Sequence, residues 1–295
     1  MRLTATAAQT THNAGKREVT MNGYKVIDTH VHVFPDKVEG AAIQALSVPE
    51  RVNKIGGTLQ AALERMDRLG IESGWTVPVA TKASQVASIN DYAATQPRER
   101  FVPFGAIHPD CDDVRAVLAT FRERGLPGFK MHPDYQDCRP TDPRMTAIYD
   151  AAVDFDLIGY FHAGDDVGPR TRYGSPEEFA AVIDEYPRMR LVLAHLGGYR
   201  MWDQVEELIV GHGLPGYVYL DTAYTVTEMP REQLLRIIHG HGTRRILFGT
   251  DSPWTHPEED FDFFIHSDLE ESDLEAIFHG NAERLLADVG YNGKV

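Results

Sequence analysis

The sequence predicts a single-domain α/β protein closed into a (β/α)₈ TIM barrel. Three observations predict it. From Tyr24 onward, short runs rich in β-branched and aromatic residues alternate with amphipathic helical stretches. The strand candidates number eight. The polar residues with chemical potential stand at the C-terminal ends of those runs. Alternation of strand and helix favours a parallel sheet. Eight such units in about 270 residues match the usual size of this barrel. The rival, an open doubly wound sheet, usually carries a glycine-rich phosphate turn after its first strand. Here that strand runs instead into His32, Val33, Phe34 and Pro35.

Taken in order, Met1–Asn22 is polar and rich in Thr and Ala, without a continuous apolar core. It reads as a flexible extension rather than a secretory signal, leaving residues 23–295 for the barrel. The first strand is expected at Lys25–Val31, followed by an insertion over 35–56 of the kind that covers an active face. The next strands are expected at Glu72–Val79, Phe101–Ile107, Gly128–His132 and Leu157–His162. The last three are Arg190–His195, Tyr217–Asp221 and Arg245–Thr250. Between them, Leu59–Leu69 and Val114–Arg124 carry apolar residues at helical spacing. Pro176–Tyr186 opens with Ser175 as N-cap, Pro176 at the first helical position, and Glu177 and Glu178 at the positive end of the dipole. Further helices are expected at Met145–Phe155, Met201–Val210, Arg231–His239 and Leu274–Ala287.

Composition bounds the function. The 295 residues carry 29 basic and 44 acidic side chains, a net charge of −15. Nucleic-acid readers normally show a basic patch, and this chain shows none. No run reaches the ~18 apolar residues that span a bilayer. Cys111 and Cys138 form no CxxC pair and read as isolated reduced thiols, in keeping with a cytoplasmic setting. The expected partner is a small-molecule substrate, with homo-oligomer formation left open.

The chemistry gathers at strand ends. Side chains alternate along a strand, so His30 and His32 point the same way and can chelate one ion. A lone His-x-His is weak. The fifth strand, however, ends in His162, the sixth in His195 and the eighth in Asp251. In a barrel those ends form the catalytic face. Singly, each has an ordinary alternative: a hydrogen-bonded core histidine for His162 or His195, a helix cap for Asp251, a loop residue for His132. Together they describe a divalent-metal centre, with zinc the best match and manganese, iron or cobalt also compatible. His12, His212, His239 and His241 carry no positional signal and are expected on the surface.

The runs Thr-His-Val-His, Gly-Phe-Lys-Met-His-Pro, Phe-His-Ala-Gly, Leu-Ala-His-Leu-Gly-Gly and Phe-Gly-Thr-Asp-Ser-Pro-Trp resemble the amidohydrolase superfamily. More narrowly they resemble the amidohydrolase-related (amidohydrolase 2) branch that includes aminocarboxymuconate semialdehyde decarboxylase and aromatic-acid decarboxylases. The resemblance covers roughly residues 25–288. It implies that His30, His32, His162 and Asp251 bind one ion, with His195 and Asp251 as catalytic groups. Asp28 and Thr29 become candidates for orienting the imidazoles. Lys130 matches the lysine that bridges two ions, once carboxylated, in binuclear members. Unmodified, Lys130 or His132 would instead meet an anionic group of the substrate.

The expected reaction is hydrolysis of a C–N or C–O bond by metal-activated water. The alternative is metal-dependent non-oxidative decarboxylation of a small acid, or hydration of an unsaturated one. A non-catalytic binding barrel would be expected to have lost a ligand, and none is missing. Arg170 and Arg172 are candidate partners for a carboxylate, or solvated arginines paired with Asp165 and Asp166. Phe34, Tyr224 and Trp254 are candidates for substrate contact.

Overall fold

The computed structural model describes residues 20–46, 55–168, 171–291 and 293. Its parallel strands are β1 (Ile27–Val31), β2 (Ser73–Thr76), β3 (Phe101–Pro103), β4 (Gly105–Ala106), β5 (Gly128–Met131), β6 (Ile158–Phe161), β7 (Arg190–Leu193), β8 (Val218–Asp221) and β9 (Ile246–Leu247). They hydrogen-bond in sequence order as β1-β2-β3 and β4 through β9. β3 and β4 are two halves of one expected strand, separated by Phe104, whose N–H donates to Thr76 O at 2.9 Å. The barrel closes where the chain beyond β9 runs beside β1. Thr29 N donates to Phe248 O (2.8 Å), Asp251 N to His30 O (2.9 Å) and His32 N to Ser252 O (2.8 Å). Among the described residues this closure pairs β1 with the segment after β9, and it brings Asp251 against the two histidines of β1.

Strand alternation sorts the apolar residues into two cores. Ile27, Trp75, Val102, Phe104, Ile158, Tyr160, Val192 and Tyr219 point into the barrel, and Leu285, Leu286 and Val289 close its lower end. Their neighbours in sequence, including Phe101, Phe129, Phe161, Leu191 and Leu193, face the surrounding helices. The helix Leu59–Leu69 forms as expected. Thr58 accepts from Ala61 N at 3.1 Å at its start, and Gly70 ends it at φ 77°. A Cβ on Gly70 would lie 2.2 Å from Thr20 O, so only glycine fits there. The described chain thus joins the fold by residue 20, and Met21 is buried; residues 1–19 of the expected extension lie outside the described residues.

Three differences have physical causes. The expected insertion after β1 contains a helix, Asp36–Leu46, while residues 47–54 lie outside the described residues. The expected helix over 274–287 is broken by a π-turn at Ala276–Gly280. There Ile277 O accepts from Phe248 N (3.0 Å), and Asn281 Nδ2 donates to Thr243 O (2.7 Å) and Ile246 O (2.6 Å). The widened turn thereby pins the approach to the closing strand. Third, His241 is not on the surface but 1% exposed.

His241 is held as a neutral ring. Nε2 donates to Val218 O (3.1 Å) and Nδ1 accepts from Gly211 N (3.3 Å), so protonation would break the second bond. Burial, followed by the nearby Arg245, pulls its pKa from 6.5 down to about 4. The unfolded chain therefore takes up this proton first as pH falls. Stability is fully present above pH 6.5, and about 3 kcal/mol is lost as pH falls toward 4. Urea unfolding of native protein and H241Q at pH 7 and pH 4.5 should show a shallower pH dependence in the variant; equal slopes would exclude the assignment.

Candidate metal centre and active site

The C-terminal ends of the strands open into a cavity of about 650 Å³. His30 and His32 project from β1 and Asp251 from the closing segment. Asp251 Oδ1 lies 3.4 Å from His30 Nε2 and 3.0 Å from His32 Nε2. The opposite nitrogen of His30, Nδ1, is 2.8 Å from Asp221 Oδ2. A carboxylate can only accept, so Nδ1 carries the ring hydrogen and Nε2 turns a lone pair toward the Asp251 carboxylate. A lone pair facing a carboxylate in a buried site is relieved by a proton or a metal cation between them, and His32 Nε2 adds a third donor atom at 3.0 Å from the same oxygen. The residues present therefore fit a divalent ion.

Asp221 is the centre of the support. Its Oδ1 accepts from His195 N (2.8 Å) and Ala223 N (3.0 Å). Its Oδ2 accepts from His30 Nδ1 and from the Tyr160 hydroxyl. The sequence reading gave this orienting role to Asp28 and Thr29, and the structure corrects it. Thr29 Oγ1 donates to Phe248 O (2.9 Å). Asp28 receives His30 N (3.2 Å), Thr250 N (3.1 Å) and Thr250 Oγ1 (2.6 Å). Both fix backbone rather than an imidazole. Burial nevertheless pushes the Asp28 carboxyl up to about 7, against those bonds. Asp221 ends a strand on the catalytic face, which was the available signal. Nothing in the sequence says what faces it.

His195 follows β7 at φ 59°, and Asp251 sits at φ 66°, conformations that non-glycine residues seldom adopt and that cluster at functional sites. His195 Nδ1 is 2.8 Å from Ala223 O, and Trp202 Nε1 donates to His195 O at 3.0 Å. His195 Nε2 lies 3.0 Å from His162 Nδ1, while His162 Nε2 lies 2.8 Å from Asp165 O. Both outer nitrogens face carbonyls and must donate, so the inner two approach as lone pairs unless a proton or cation lies between them. Burial foremost, then neighbouring histidines, draws His162 well below 6.5 and His195 to about 4. For His30 the leading causes are burial and then Lys130. Asp251 is held ionised well below the usual carboxylate range: burial opposes this, but His30 and His32 outweigh it.

Three of the four expected ligands therefore converge, and His162 stands in a different group. It stacks on His132 with ring centroids 3.9 Å apart and planes 10° apart. His132 Nε2 is 3.2 Å from Asp166 Oδ2. His132, His162 and Asp166 form a second set whose donor atoms lie within 4.8 Å of one another. The loop that presents His162 is tied to the loop after β7 at Gly164, φ 92°, where a Cβ would lie 2.1 Å from Tyr199 N. Lys130 is 1% exposed, with Nζ 4.4 Å above the Tyr160 ring. Arg172 pairs with Asp165 at 3.1 Å and is 68% exposed, so it takes the solvated alternative. Arg170 lies outside the described residues. Phe34, Tyr224 and Trp254 all line the cavity.

Residues 27–287 match the family model described as amidohydrolase. The chain belongs to the amidohydrolase family. No protein of curated function matches it. Among solved structures, an uncharacterised TIM-barrel protein from Bordetella bronchiseptica is similar at TM-score 0.70 and 20% identity, over 90% of this chain and 99% of that one. The 5-carboxyvanillate decarboxylase from Sphingomonas paucimobilis is similar at TM-score 0.69 and 16% identity, over 90% and 99%. A dihydroxybenzoic acid decarboxylase from Polaromonas sp., solved with manganese and 2-nitroresorcinol, is similar at TM-score 0.67 and 19% identity, over 90% and 97%. At these identities the likeness concerns the fold. The barrel expected from the sequence is the observed architecture, in an enzyme family. Among the described residues no helix is long and apolar enough to cross a membrane.

Proposed function

We propose that this amidohydrolase-family enzyme is a metal-dependent, non-oxidative decarboxylase of a small aromatic carboxylic acid. The observation that carries the proposal is a carboxylate-and-histidine trio at the floor of a cavity walled by Phe34, Tyr92, Tyr135, Tyr224 and Trp254. A flat apolar ring with an anionic end suits that space, and two of the similar structures are decarboxylases of aromatic acids. His30, His32 and Asp251 would hold one divalent ion, zinc or manganese, which both accept such donors. When bound, the ion supplies Lewis-acid grip on the carboxylate or a neighbouring hydroxyl.

The chain's own groups do the rest. Ala223 O fixes the His195 tautomer and aims Nε2 toward His162 and the cavity. His195 Nε2, which holds a lone pair at rest, first takes up a proton from solvent beside the bound carboxylate, and then passes it to the ring carbon as the bond to the carboxylate carbon breaks. The bonding pair becomes the new C–H bond and neutral CO₂ leaves. The aromatic walls exclude water, which favours loss of charge from the carboxylate.

The test uses metal-reconstituted protein with a panel of hydroxybenzoates, reading CO₂ release. H195Q should lower kcat by about 10²–10⁴ while retaining the ion. Release of ammonia from amides or ring opening of lactones to hydroxy acids, with no CO₂ from any acid, would replace this proposal with hydrolysis. That second reading is favoured by the His132–His162–Asp166 group, which offers donors for another ion. About two equivalents of bound metal per chain would support it.

A further inference from the structure

Lys130 is a buried cation lining the cavity, and its Nζ has no hydrogen-bond acceptor among the described residues. It projects inward from β5, in register with Ala106 on one neighbouring strand and Tyr160 on the other. Tyr160 offers only its ring face, because its hydroxyl is committed to Asp221 and Thr29 O. The two nearby carboxylates are also committed. Asp221 accepts from four donors, and Asp251 faces the His30–His32 pair. Among the described residues Lys130 therefore has no hydrogen-bonded counter-ion, although Asp221 and Asp251 act on it through space. Burying an ammonium without a hydrogen-bonded partner costs several kcal/mol. Above this floor the walls are apolar, with Val33, Val79, Ile89 and Trp254 among them.

We infer that Lys130 is an anion receptor of the active site: it binds the substrate's carboxylate at the cavity floor and orients the apolar ring outward, toward the helix Asp36–Leu46. This deepens the decarboxylase reading and rests on it for the identity of the anion. It assigns head-down binding, with the carboxylate between the metal trio and a lysine that stays a free amine. It excludes a carboxylated Lys130, because a carbamate would place a second negative charge where the substrate's must go.

The experiment compares 2-hydroxybenzoate with the uncharged 2-hydroxybenzamide by calorimetry on the metal-loaded full chain, native and K130M, with K130Q as the second variant should K130M fail to fold. Native protein should bind the anion at least about tenfold tighter than the amide, as a charge-assisted pair implies. The folded variant should lose most of that preference while keeping its metal content and its affinity for the amide. No preference in native protein, or full preference in the variant, overturns the inference. So does a carbamate carbonyl signal from Lys130 after incubation with labelled bicarbonate. If no aromatic acid releases CO₂ but the variant loses the anion preference, the decarboxylase reading fails and the anion-receptor assignment stands. CO₂ release with full preference in the variant has the opposite meaning.

Discussion

Asp221→Asn should weaken metal binding by about 10–100-fold and destabilise the protein by about 3 kcal/mol, because asparagine leaves buried donors without an acceptor. Asp221 is 0% exposed, and its two oxygens take hydrogens from the His30 ring, the Tyr160 hydroxyl and the backbone of His195 and Ala223. An amide of the same shape keeps one acceptor and turns an N–H₂ group toward donors it should accept from. The His30 ring then loses the bond that fixes its tautomer, so Nε2 no longer presents its lone pair reliably. Should the retained oxygen serve His30 and Tyr160 instead, the His195 and Ala223 N–H groups lose their acceptor. The effect should therefore appear in metal affinity, in turnover and in thermal stability together. Competition with a chromogenic chelator reads the first and a melting curve the last. A metal affinity within about twofold of native would remove Asp221 from its orienting role.

Asp251→Asn should separate binding from folding. Asp251 Oδ1 is the point on which His30 Nε2 and His32 Nε2 converge, and its negative charge is what makes the trio attractive to a cation. Loss of a direct ligand should exceed the effect of an orienting partner, so ion affinity should fall by more than about 100-fold. CO₂ release should fall with it. The fold should persist, because the backbone bond from Asp251 N to His30 O does not involve the side chain. Elemental analysis after dialysis, beside a circular dichroism spectrum, reads both. A folded variant that keeps a full equivalent of metal would dissolve the proposed trio. His30→Ala with His32→Ala should give the same metal loss by removing the other two members.

The similar structures were recognised through the same barrel, yet their identities of 16–20% are too low to transfer a substrate. The proposed reaction class therefore draws on this chain's own cavity, with the activity of two similar structures beside it. The proposal of decarboxylation in place of the hydrolysis expected from sequence draws on surroundings that sequence order does not reveal. Aromatic rings from distant loops form the walls, and the floor carries a lysine whose Nζ has no hydrogen-bond partner among the described residues. Arg172 illustrates the reverse case. Its position after a strand suggested a carboxylate partner, but Asp165 holds it at the surface.

By itself, the sequence determined the alternation of strand and helix, the barrel, and which side chains stand at strand ends. Those properties are local. A two-residue period aims His30 and His32 inward together, and apolar runs ending in His162, His195 and Asp251 mark the catalytic face whatever lies opposite. Only the tertiary structure decided who faces whom. Asp221 meets His30 across 191 residues of sequence. His162 stacks on His132 and turns Nδ1 toward His195. His241 is buried because the strand and loop beside its helix satisfy both of its nitrogens. Each of these depends on barrel closure, which brings together groups whose separation along the chain carries no periodic signal.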